Sequence, residues 1–124
     1  MLSGERTASG GFGCMDAQER LPLVLSWRST RAILDDRCAK LTLGAGEGCG
    51  MRIAGTHTSR RHATIERRKQ SYVLVDHSTN GTFVQTEDER VAFVRRGEVR
   101  LWGEGCISLG TPLSEVSAIR FRHE

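Results

Sequence analysis

The chain has 124 residues, the size of one ordinary domain, and its 38% hydrophobic and 27% charged residues suit a folded core rather than disorder. No apolar run approaches the ~18 residues of a membrane-spanning helix, which argues against an integral membrane protein. Eighteen basic against fifteen acidic residues leave a net charge of +3, too mild by itself to point to nucleic acid.

Residues 1–20 hold glycine, serine and charge without periodicity and read as a flexible lead-in. They lack the continuous apolar segment of a secretory signal, so a cytoplasmic location is expected. Thr7 lies in this stretch, where a kinase could reach it. From Leu21 the texture changes: Leu21, Leu23, Leu25 and Trp27 alternate as in a half-buried strand. Ile33 and Leu34, then Leu41 and Leu43, are further short apolar pieces. Gly44, Gly46, Gly48 and Gly50 fill the loop that follows.

The clearest pattern comes next. Ala63, Ile65 and Arg67 alternate with Thr64, Glu66 and Arg68, and after a polar turn Tyr72 to Val75 is rich in β-formers, which predicts a hairpin. Asn80 and Gly81 form the dipeptide most willing to take positive φ, and Thr82 to Val84 resumes as strand. Residues 87–96 contain good helix formers, yet Val91, Phe93, Val99 and Leu101 equally fit two strands around Gly97. Residues 106–109 and 118–122 complete roughly nine to eleven short strands, the pattern of an all-β sandwich.

Sixteen of the eighteen basic residues are arginine, whose planar fork grips phosphate and carboxylate, and Arg60, Arg61, Arg67 and Arg68 cluster. The hairpin's strands run out and back, so the segments on either side of it fall at the same end. That end presents the hydroxyls of Ser59 and Thr79, the Asn80 amide and at least one guanidinium, a donor set suited to a dianion. Other chemistry fits poorly. Cys14, Cys38, Cys49 and Cys106 contain no C-x-x-C pair, and Cys49, His57 and His62 match no familiar metal-ligand spacing. Cys106 is expected in the core. Asp76, His77 and Ser78 are consecutive, so their side chains are expected to diverge and form no triad. With few aromatics beside the arginines, nucleic-acid binding is also disfavoured.

The S-x-x-H block at Ser59 to His62, the N-G-T block at Asn80 to Thr82 and the later run Gly105 to Gly110 resemble the forkhead-associated (FHA) domain, over about residues 21–124. The resemblance implies an FHA-type β-sandwich of about eleven strands in two sheets. It further implies a binding module without catalysis or cofactor, whose apical loops hold phosphothreonine in a partner protein. That partner would be a serine/threonine-kinase substrate or a linked domain of a larger chain. On this reading Ser59 and Arg60 contact the phosphate, Thr79 borders the threonine methyl group, Asn80 holds the peptide backbone and His57 reads a later peptide residue. Gly44, His62, Gly81 and Thr82 shape the loops.

One departure bears on affinity. The family's opening Gly-Arg supplies a main phosphate ligand, whereas here Gly44 is followed by Ala45. Losing one charged hydrogen bond costs roughly 1.5–3 kcal/mol, about ten- to a hundred-fold in affinity. Either Arg52, Arg60 or Arg61 compensates, or the domain is degenerate and binds proteins independently of phosphate.

Overall fold

The computed structural model describes residues 21–69, 71–113 and 118–124. The lead-in 1–20, with Thr7, and Gln70 of the expected hairpin turn lie outside the described residues. Eleven strands are present: β1 (Leu23–Trp27), β2 (Thr30–Leu34), β3 (Lys40–Gly44), β4 (Met51–Arg52), β5 (Ala63–Arg68), β6 (Ser71–Asp76), β7 (Thr82–Gln85), β8 (Val91–Val94), β9 (Glu98–Leu101), β10 (Gly105–Leu109) and β11 (Ile119–His123). They form a six-stranded sheet in the order β8-β7-β10-β11-β1-β2 and a five-stranded sheet in the order β9-β6-β5-β3-β4. The all-β sandwich expected from the strand pattern is the observed architecture. Among the described residues, no helix is long and apolar enough to cross a membrane.

Alternation decides which side chains meet between the sheets. Leu23 and Leu25 of β1, Ile107 and Leu109 of β10, and Ile119 and Phe121 of β11 face Leu41 and Leu43 of β3, Ile65 of β5 and Leu74 of β6 in one cluster. The segment that suited helix or strand equally becomes β8 and β9, and the short turn between them carries the chain from one sheet to the other. Two sequence expectations need correcting. Leu21 precedes β1 and is 43% exposed, because the strand begins only after Pro22. Cys106 is half-buried rather than core: it pairs with Gln85 and Arg120 in register, a row on the sheet's outer face, while Ile107 takes the inward position.

Tyr72 brings the one phenol of the chain into this core, where its ring is fully buried. Its hydroxyl lies 3.2 Å from the Leu34 carbonyl and 3.1 Å from that of Leu21, and it accepts a bond of 2.8 Å from the Arg67 guanidinium. Removing the hydroxyl takes the donor from a buried carbonyl and one acceptor from Arg67, which keeps its ion pair with Asp36 at 3.0 Å. Tyr72→Phe is expected to lower the unfolding free energy by about 1–3 kcal/mol in urea titration.

Candidate functional site

Three connections gather at one end of the sandwich: residues 45–50 after β3, 53–62 after β4, and 77–81 after β6. Main-chain groups stitch the first two together. The Ala45 amide donates to the Ser59 carbonyl at 2.9 Å and the Gly46 amide to the Arg60 carbonyl at 3.1 Å. The Cys49 thiol donates to the same Arg60 oxygen at 2.9 Å. A Cβ on Gly44 would overlap that carbonyl oxygen, so the approach of the two segments requires glycine there.

His62 joins the second segment to the third. Its ring is fully buried; Nδ1 accepts the Ser59 amide at 3.0 Å, and Nε2 lies 2.7 Å from the Gly81 carbonyl. An amide can only donate and a carbonyl only accept, so the imidazole is neutral with its proton on Nε2. The His77 amide adds a bond to the His62 carbonyl at 2.9 Å, and the Asn80 side-chain amide donates to the His57 carbonyl at 3.1 Å. Gly81 turns the chain at φ +87°, and Phe93 packs where a Cβ would stand.

Beneath this lies Asp76, buried and ionised. Its carboxylate accepts the Thr82 hydroxyl at 2.5 Å, the Ser78 amide at 2.9 Å, the Ser78 hydroxyl, and the Arg96 amide at 3.1 Å. Burial alone would raise its pKa, but these donors outweigh it and hold the carboxyl below its ordinary value. Ser78 passes the constraint on, since its hydroxyl also accepts the Gly81 amide at 2.7 Å. The expectation that Asp76, His77 and Ser78 diverge is therefore corrected: residues two apart fall on one side, and Asp76 and Ser78 bond, while His77 faces Thr64 at 3.2 Å. Asp76, Ser78 and Arg96 had no assigned role in the sequence reading. A short acceptor and hydroxyl ahead of Asn-Gly was the available signal for the first two.

The candidate binding residues lie on this scaffold. Ser59 is half-buried, and Arg60, Thr79, Asn80 and His57 are exposed around it. Arg52, Arg60 and Arg61 line a cleft of about 620 Å³ together with Ala45, and Glu47 is its one carboxylate. The Arg52 Nε donates to the Ala45 carbonyl at 3.1 Å, which sets a guanidinium beside the residue that stands in the arginine position of the Gly-Arg motif. Arg31, Arg67, Arg68, Arg90 and Arg122 all have carboxylate partners, whereas among the described residues Arg52, Arg60 and Arg61 have none.

A two-sheet, eleven-stranded sandwich with its connections tied into one crown defines a known class of β domain. The FHA-domain family model matches residues 41–101, and the chain carries an FHA domain. It superimposes on FHA-1 of Mycobacterium tuberculosis Rv1747 with a TM-score of 0.66 at 17% identity, over 84% of this chain and 97% of that one. An FHA domain studied for phosphothreonine-dependent interactions matches with a TM-score of 0.64 and 28% identity, over 83% of this chain and 97% of the other. The FhaA FHA domain, solved in complex with the intracellular domain of Rv3910, gives 0.59 and 29%, over 81% and 99%. No curated protein matches the sequence.

Two predictions test the scaffold. Gly44→Ala is expected to destabilise the fold by about 1–3 kcal/mol, read from the denaturation midpoint, because backbone must move to admit the methyl group. The second concerns acid. Because the folded-state pKa of Asp76 is lowered from 3.8, its stabilisation is complete above about pH 4 and is lost as pH falls through the lower folded value. Asp76→Asn should lower stability at pH 7 by about 1–3 kcal/mol and flatten the acid limb of stability against pH.

Proposed function

We propose that this domain, which we extend over residues 21–124, binds phosphothreonine-containing protein segments through the crown formed by residues 45–50, 53–62 and 77–81. The reading is carried by one observation: three guanidiniums without carboxylate partners among the described residues share a cleft with Ala45, whose amide bonds the Ser59 carbonyl, while five other arginines hold carboxylates. Ser59 and Arg60 meet the phosphate, and Arg52 supplies charge in place of the side chain that Ala45 lacks. Thr79 borders the threonine methyl group. Asn80 donates one N–H to the His57 carbonyl and keeps its second N–H and its carbonyl oxygen for the backbone of the ligand. His57, exposed at the rim, reads a residue farther along. His62, Gly44, Gly81 and Thr82 hold these groups in position. The role is recruitment of a phosphorylated partner, a kinase substrate or a linked domain, and not catalysis.

Family relatives studied or solved with phosphothreonine-dependent partners support the ligand class. Ala45 favours a second reading, in which the crown is degenerate and binds proteins without phosphate. Calorimetric titration with a phosphothreonine peptide and its unphosphorylated twin separates them. Binding should require the phosphate and weaken with salt. Ser59→Ala and Arg60→Ala should each cost about ten- to a hundred-fold, and Ala45→Arg should add a modest gain to binding already present. Equal affinity for both twins, unchanged in Ser59→Ala, would establish the phosphate-independent reading instead.

A further inference from the structure

A second basic hollow lies just below the crown, on the outer face of the five-stranded sheet. Register places Thr42, Thr64, Val75 and Glu98 in one outward row and Lys40, Glu66, Val73 and Arg100 in the next. Lys40, Thr42, Arg61, Thr64 and His77 line a depression of about 500 Å³, which no carboxylate lines. Both acids of this face are occupied nearby: Arg68 holds Glu66 at 3.1 Å and Glu98 at 2.9 Å. Lys40 and Arg61 keep no carboxylate partner among the described residues.

Two cations and the Thr42 hydroxyl, beside a Thr64–His77 pair whose Oγ1 and Nε2 already bond at 3.2 Å, form a lining that a carboxylate or phosphate satisfies and that a cationic or apolar group does not. Arg61 also lines the apical cleft, so cleft and hollow meet at one side chain. One extended ligand can therefore reach both the crown and the hollow. We infer that the hollow lined by Lys40, Thr42, Arg61, Thr64 and His77 is a second anion subsite, taking an acidic side chain or second phosphate on the segment whose phosphothreonine binds at Ser59. The inference rests on the proposed reading of the crown and adds a sequence preference to it.

The test uses the full chain and a phosphothreonine peptide with neutral flanks. In one series a single glutamate is moved along both flanks, and in the other a phosphoserine. At least one position should tighten binding about tenfold, which corresponds to about 1.4 kcal/mol. Lys40 is exposed, so Lys40→Glu leaves the fold intact. At physiological ionic strength, where charges more than ~8 Å apart are largely screened, this variant should abolish the gain yet bind the neutral-flanked peptide within about threefold of wild type. A gain from glutamate assigns an acidic residue, and one from phosphoserine alone assigns a second phosphate. If the parent peptide binds but no position gains, or if the gain survives Lys40→Glu, the subsite is overturned and the crown reading stands. If no peptide binds, both fall.

Discussion

The amide of Ser59 points into the buried ring of His62, and the opposite edge of that ring meets the Gly81 carbonyl. This imidazole and the bond from the Asn80 side chain to the His57 carbonyl tie the second and third apical connections together. Both partners of the ring are main-chain groups withdrawn from water, so its loss would leave a donor and an acceptor unsatisfied at once. The Gly81 carbonyl also accepts the Gly110 amide at 2.9 Å, which draws a fourth connection into the same node. Asp76 closes the underside. It fixes Ser78 and Thr82 on either side of the Asn80 turn and, through the Arg96 amide, the connection between the two sheets.

Above that node the electrostatic arrangement changes character. Five arginines of the described surface hold carboxylates, Arg68 two of them, whereas Arg52, Arg60 and Arg61 share a cleft with a single glutamate and no carboxylate partner among the described residues. Beneath the crown His62, Asp76 and Ser78 are buried and bonded, while the rim is positive and open. Such a division suits a surface that meets an anion without rearrangement, since the scaffold carries the ordering cost before the ligand arrives.

Much of this was legible from the amino acids. Alternation at Leu23 and Leu25 and at Ala63 and Ile65, together with the turn chemistry of Asn80 and Gly81, points to a sandwich whose hairpin returns two loops to one end. The Ser59 and Asn80 blocks mark which end. Other features are not local. Residues 87–96 satisfy helix propensity as readily as strand, and only pairing of Val91–Val94 with β7 and of the following Glu98–Leu101 with β6 settles them as strands of separate sheets. Cys106 looks like core by composition, but register places it in an outer row with Arg120. The bond between Asp76 and Ser78 depends on how the chain bends after β6, and the site of Arg52 depends on a short parallel pairing of β3 with β4.

At position 45 it is the backbone amide, bonded to the Ser59 carbonyl, that secures the loop, and the methyl side chain has no part in it. The side chain at this position can therefore change without touching that bond. An Ala45→Arg exchange would leave that main-chain bond in place. The guanidinium of Arg52, bonded to the Ala45 carbonyl at 3.1 Å, already stands beside that position.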